Sequence, residues 1–220
     1  MIELNGVHKR YITSHGAGPW VLKNINLIIP SKTSVGLIGV NGAGKSTLLR
    51  LIGGIDYPNK GIVRRHCKVS WPMGSGGGLK ASLTGRQNAK FISRIFVDEA
   101  RIFEKLKFIE DFAEIGEAFN QPVNTYSSGM KSRLLFGMSL AFDFDVYISD
   151  EVTAAGDTNF KAKAQKAFDD LSGRAGLIMV SHSVSTLKNF CTAGIWLHQG
   201  DALWFDKIDD ALTEYHKFTK

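Results

Sequence analysis

Gly39-Val40-Asn41-Gly42-Ala43-Gly44-Lys45-Ser46, followed by Thr47, places three glycines, a lysine and a hydroxyl at the spacing G-x-x-x-x-G-K-[ST]. Glycines at this spacing let a backbone fold around phosphate oxygens with its N–H groups turned inward. Lys45 would reach the β- and γ-phosphates, and the Ser46 hydroxyl would ligate Mg²⁺. The apolar run "TSVGLIGV" precedes the loop and the helical pattern "GKSTLLRLIGG" follows it. That context points to a bound nucleoside triphosphate, where a lone glycine turn would only reverse the chain.

Three further groups could do chemistry on such a ligand. "VYISDE" is an apolar strand ending in Asp150 and Glu151. A carboxylate at a strand tip can hold Mg²⁺, and a second one beside it can take a proton from an attacking water. The bland alternative is a solvated acidic turn. His182 directly follows the strand "LIMVS", where it could hydrogen-bond a γ-phosphate or simply lie on the surface. "YSSGM", residues 126–130, sets Ser127, Ser128, Gly129 and Met130 at the start of a helical run. Small residues at a helix N-terminus suit an anion, yet this second anion site has no lysine at its turn.

Strands and helices in alternation must position these groups, and they predict a largely parallel central sheet. Two strand-like runs, "IELNGVHKRY" and "WVLKNINLII", come first, with "TSHGAGP" expected as a loop between them. Strand character returns over 61–72, before the glycine-rich "GSGGGLKASLTG". From about 85 to 119 the pattern is helical, with Ile102, Leu106, Ile109 and Phe112 on one face. A helix from Ser128, another over 158–172 stopped by Gly173, and a hairpin turning at Gln199-Gly200 complete the order, with one last helix at the end.

The formal net charge of +6 would suit nucleic acid, an anionic membrane or an acidic partner, but the charges are spread along the chain, as on a solvated surface. Cys67 and Cys191 are far apart and form no CxxC, which fits a reduced intracellular protein. His66-Cys67 has no second ligand cluster to complete a zinc site. The start "MIELNGVHKRY" does not resemble a signal peptide, and the apolar run "LLFGMSLAF" is about half a membrane span. Direct membrane insertion is therefore not expected.

In order and spacing, the phosphate loop, "YSSGM", "VYISDE" and "SH" resemble the ATP-binding subunit of an ABC transporter over nearly the whole chain. The resemblance implies a RecA-like α/β P-loop NTPase core with an N-terminal antiparallel β subdomain and an inserted α-helical subdomain. It implies one ATP-binding domain over 1–220, its helical part at approximately 85–142. Two copies would form a head-to-tail homodimer, in which Ser127, Ser128, Gly129 and Met130 close over the ATP of the opposite copy. That accounts for a second anion site without a lysine. Lys45, Glu151 and His182 would be catalytic; Gly39, Asn41, Gly42, Ala43, Gly44, Lys45, Ser46 and Thr47 would bind ATP, and Tyr11 would stack on its adenine. Ser46 and Asp150 would hold Mg²⁺, and Asp157 would act across the dimer interface.

One departure narrows the resemblance. Most members carry a glutamine before the helical subdomain, whereas "SWPMGSGGGLKASLTGRQN" has Trp71, Met73 and Ser75 there, and Gln87 comes too late. This stretch, with "YSSGM" and "DEV…GD", is similar to ATPases that export capsular polysaccharide from Gram-negative bacteria. A separate polytopic membrane permease is then implied, with this chain peripheral on the cytoplasmic face of the inner membrane. The chain ends soon after its last helix, so a C-terminal sugar-binding domain is not expected. Export of another glycan such as O-antigen, or a soluble ATPase acting on nucleic acid or ribosomes, are the alternatives. The latter relatives usually carry paired ATPase domains or long coiled-coil insertions, so a nucleic-acid partner is not expected. A module that binds ATP without hydrolysing it would have no use for Glu151 and His182.

Overall fold

Alternating apolar residues make a long strand, β1 (Ile2–Thr13), at the start of the computed structural model, which describes residues 1–14, 16–73, 78–150 and 158–219. Its alternation is broken near Gly6. A register shift between Leu4 and Val7, at Gly6 with φ 58°, moves burial from Ile2 and Leu4 to Val7 and Lys9. The second strand, β2 (Gly16–Ile29), pairs antiparallel with β1 as far as Thr13↔Gly16. The expected loop "TSHGAGP" is therefore mostly strand, with Ser14 in a turn. Cross-strand pairing overrides turn-like composition here, because Gly18 lacks a Cβ that would come within 3.0 Å of the Tyr11 carbonyl.

The chain continues through β3 (Val35–Ile38), α1 (Lys45–Ile52), β4 (Lys60–Arg65) and β5 (Val69–Met73). Helices α2 (Gly85–Phe96), α3 (Glu99–Ala113) and α4 (Ser128–Leu140) follow, with 3₁₀ turns at Gly116–Asn120 and Val123–Thr125. Then come β6 (Val146–Asp150), α5 (Thr158–Ser172), β7 (Gly176–Val180), α6 (Val184–Phe190), β8 (Ala193–His198), β9 (Asp201–Phe205) and α7 (Ile208–Thr219). Strands β2-β1-β4 form one sheet, and β5-β6-β7-β3-β8-β9 form the other. The strand character of 61–72 is thus divided between two sheets, β4 joining β1 and β5 joining β6.

Two compact units partition these elements. The first is built from Met1–Pro72 with the segments that begin at Phe144 and Phe168. Strands β3 and β7 are buried along their whole length, the pattern of parallel strands covered on both faces. Its core takes Ile2, Leu4 and Val7 from β1, Leu48 and Leu49 from α1, and Leu37, Ile148, Ile178 and Ile195 from the parallel strands. The β8–β9 turn has positive φ at Gln199 (48°) and Gly200 (92°), as a two-residue hairpin requires.

The second unit comprises Met73–Asp143 and, among the described residues after β6, those from 158 to 167. Helix α3 buries Ile102, Leu106, Ile109 and Ala113, a stripe three and four residues apart. Phe112, Phe136 and Phe160 pack with ring centroids 5.6 to 6.1 Å apart. Arg86 donates to both Glu110 carboxylate oxygens at 2.8 Å. Because both side chains are more than a third exposed, this pair contributes under about 1 kcal/mol, and the aromatic cluster dominates. Gln87 completes a capping box with Thr84 at the start of α2. That structural role accounts for a glutamine at this position. Trp71 lies edge-on to Phe144, Met73 is fully buried, and Ser75 is outside the described residues.

Candidate functional site

The buried strand β3 delivers the chain to the loop 39–44, and Gly44 turns it into α1. Gly44 has φ 103° and ψ 13°, and a Cβ there would lie 2.9 Å from Val21 Cγ1. Only glycine satisfies both conditions. At Gly39 a Cβ would stand 2.5 Å from the Leu197 carbonyl, so the loop passes too close to β8 for any side chain. Helix α1 has no side-chain cap. No side chain therefore competes with an anion for the N–H groups at the start of this helix.

Lys45 lies across this loop and donates to the Gly39 carbonyl at 2.6 Å and the Val40 carbonyl at 3.0 Å. Ala43 N–H donates to Val40 O at 3.1 Å, closing the turn that carries Asn41 and Gly42. Asn41, Gly42 and Ser46 are exposed, and Thr47 is buried. An ammonium, a ring of N–H donors and an open hydroxyl fit a polyphosphate chain.

Asp150 ends β6, half-buried, and pairs in register with Val180 of β7. His182 follows two residues later and is exposed. Strand β7 also runs parallel to β3, with Val35 opposite Ile178 and Gly36 opposite Met179. Parallel pairing therefore brings the end of β6, the end of β7 and the phosphate loop to one edge of one sheet, where open α/β sheets bind ligands. The Ser46 hydroxyl and the Asp150 carboxylate are hard oxygen donors of the kind Mg²⁺ takes. Glu151 and Asp157 lie outside the described residues.

Tyr11 is 38% exposed, so it does not belong to the core. Its hydroxyl lies 3.3 Å from Thr47 Oγ1 and 3.3 Å from Asp56 Oδ2. Lys9, on the same face of β1, donates to Asp56 Oδ1 at 2.6 Å and to the Tyr57 carbonyl at 2.8 Å. Sequence reasoning missed Lys9 and Asp56. Alternation along β1 could have put Lys9 beside Tyr11, but nothing local announces an acidic partner 47 residues away.

The second anion-site candidate is in the other unit. Ser127, with φ −64° and ψ 163°, is the N-cap of α4, and its hydroxyl accepts the Met130 N–H at 3.2 Å. Capping therefore falls to Ser127 and leaves Ser128, the first helical residue, exposed. The Ser128 and Gly129 N–H groups stand in the first turn, where helix geometry provides no carbonyl. A Cβ at Gly129 would meet nothing closer than Ser127 Oγ at 3.8 Å, so the chain's own packing does not require glycine there.

Tyr126 anchors the loop from below. It is buried, and its hydroxyl donates to the Ala118 carbonyl at 2.5 Å. A side chain at Gly85 would collide with that hydroxyl. Burial pushes the Tyr126 phenol above its ordinary value, although a bond with the Gly85 backbone opposes this. A folded pKa above the unfolded one means that its contribution is complete below about pH 10 and is lost as pH rises through the folded value. Tyr126→Phe removes this bond, while the Gln121 N–H stays on the Ala118 carbonyl at 2.8 Å, and should cost about 0.5–1.5 kcal/mol. Thermal unfolding at neutral pH checks this, and an unchanged melting temperature would contradict it.

A mostly parallel sheet with a glycine-rich loop opening a helix at its carboxyl edge defines a phosphate-loop nucleotide-binding domain. Residues 22–154 match the ABC transporter family. The chain is 46% identical to the polysialic acid transport ATP-binding protein KpsT of Escherichia coli, across 99% of both chains. It is 40% identical to the capsule polysaccharide export ATP-binding protein CtrD of Neisseria meningitidis serogroup B, across 98% of this chain and 99% of that one. Among solved structures, a dimeric ATP-binding cassette in a post-hydrolysis state bound to ADP and Pi is similar with TM-score 0.78, covering 94% of this chain and 99% of that chain. At 23% identity it shows the fold. The chain belongs to the ABC transporter family as an ATP-binding domain.

Proposed function

We propose that this chain is the ATP-hydrolysing subunit of an exporter of capsular polysaccharide. The carrying observation is similarity along the full length to KpsT and CtrD, whose names give polysialic acid transport and capsule polysaccharide export. Among the described residues no helix is long and apolar enough to cross a membrane. A separate polytopic permease then carries the polymer, and this chain docks on it at the cytoplasmic face of the inner membrane.

The Ser46 hydroxyl and Asp150 carboxylate would hold Mg²⁺, which when bound would neutralise charge on the β- and γ-phosphates. Lys45 leaves its loop carbonyls for phosphate oxygens. His182 orients the γ-phosphate from the end of β7, Glu151 takes the proton of the attacking water, and Tyr11 stacks on adenine. Two copies pack head to tail, so that Ser128, Gly129 and the start of α4 meet the γ-phosphate of the other copy, with Asp157 acting across the interface.

Glu151→Gln should bind MgATP with near wild-type affinity while turnover falls by about a hundredfold or more. A mutant turning over at the wild-type rate would show that Glu151 is not the base. For export itself, deletion of the gene should leave polymer accumulating inside the cell. Wild-type protein should restore surface polymer and Glu151→Gln should not. Undiminished surface polymer in the deletion strain would refute the reading.

A further inference from the structure

We propose that Lys9 and Asp56 are positioning residues for the nucleotide base, holding the Tyr11 ring beside the phosphate loop in the orientation that stacks on adenine. The inference rests on the assignment of Tyr11 to adenine made above.

Four observations carry it. The bulge at Gly6 changes the parity of β1, so Lys9 and Tyr11 share the face that Val7 buries. From there the Lys9 ammonium reaches Asp56 Oδ1 at 2.6 Å and stands 5.0 Å from the centroid of the Tyr11 ring. Asp56 Oδ2 lies 3.3 Å from the Tyr11 hydroxyl, which is also 3.3 Å from Thr47 Oγ1. Finally, the Ile55 and Asp56 N–H groups donate to the Arg50 carbonyl at 3.0 and 3.3 Å, so Asp56 is tied to α1 itself. One phenolic oxygen is thereby held between the first turn of the phosphate-loop helix and the turn that leaves it.

A Lys9 only 7% exposed is an expensive way to pack a strand. Replacing such a pair by apolar residues is often neutral or stabilising, so stability alone gives little reason to retain it. Its geometric effect is distinct. Tyr11 has an exposed ring that would otherwise sample several rotamers, and ordering it in advance removes that cost from nucleotide binding. Burial raises the Asp56 carboxyl, but hydrogen bonds from Lys9 and the Tyr57 N–H, the Lys9 charge and the Tyr11 hydroxyl outweigh it and leave it below the ordinary carboxylate value. The acceptor is therefore ionised at neutral pH and available to both partners.

The experiment separates base-dependent from base-independent binding. Titrate MgATP and magnesium tripolyphosphate into the full chain carrying Asp56→Asn, the charge-free pair Lys9→Met/Asp56→Asn, Tyr11→Ala, and Tyr11→Ala/Asp56→Asn. Asp56→Asn and the charge-free pair should each weaken ATP binding about three- to tenfold, with tripolyphosphate affinity within about twofold of wild type. In the Tyr11→Ala background Asp56→Asn should add nothing. Equal losses for the two ligands, or a full additional loss without Tyr11, would overturn the proposal and reduce the pair to a brace for the loop. Should Tyr11→Ala weaken ATP binding while Asp56→Asn and the charge-free pair bind it normally, the positioning role alone fails. Should Tyr11→Ala itself bind ATP as tightly as wild type, the adenine assignment fails and takes the proposal with it.

Discussion

Lys45→Ala should weaken ATP binding about a hundredfold and abolish measurable turnover. Lys45 is the ammonium of the phosphate loop, held by the Gly39 and Val40 carbonyls. Charge-assisted bonds to phosphate contribute roughly 1.5–3 kcal/mol each, and about 2.8 kcal/mol corresponds to a hundredfold. Turnover should suffer further, because a cation that would offset charge developing in the transition state is removed. The fold should survive, since the turn is also closed by Ala43 N–H to Val40 O and by the first bond of α1, Leu48 N–H to Gly44 O at 2.9 Å. Nucleotide titration and an ATPase assay check the two halves separately. Equal ATP affinity in mutant and wild type would remove Lys45 from the binding site.

A mixed dimer of Ser128→Arg and Lys45→Ala subunits should recover ATPase activity that neither homodimer shows. Ser128 is exposed on the first turn of α4, and its hydroxyl is not the helix cap, which Ser127 supplies. An arginine there should leave the subunit folded and able to bind ATP through its own Lys45. If Ser128 serves the opposite subunit's γ-phosphate, one composite site of the mixed dimer carries both lesions and the other carries neither. Roughly half of the intact activity is then available per dimer, provided that one functional site suffices, against a loss of about two orders of magnitude in each homodimer. If both residues acted within one chain, both sites of the mixed dimer would stay broken. Absence of recovery in dimers of verified composition would mean that the loop acts in cis.

Several determinants were legible locally because they depend on neighbours in the chain. The phosphate loop is one, since a strand, glycines with unusual φ and a helix start are consecutive residues. Helix α4 beginning at Ser128, α5 over Thr158–Ser172 and the turn at Gln199-Gly200 are others, set by capping, a stop glycine and positive φ. The three- and four-residue spacing of Ile102, Leu106 and Ile109 likewise determined which face of α3 is buried. Tertiary structure decided what depends on partners distant in sequence. Composition made residues 13–19 a loop, but antiparallel pairing along β1 drew most of them into strands. Two neighbouring strand-like segments, β4 and β5, parted into different sheets because their hydrogen-bonding partners, β1 and β6, lie in different sheets. Gln87 and Ser127 took capping work that only the placement of helix starts could assign. Lys9 and Asp56 are the clearest case. A bulge at Gly6 turned a lysine inward, and a turn after α1 brought a carboxylate from 47 residues away to meet it. Such a pair exists only once two elements have packed, because burying the ammonium is unfavourable until its partner arrives.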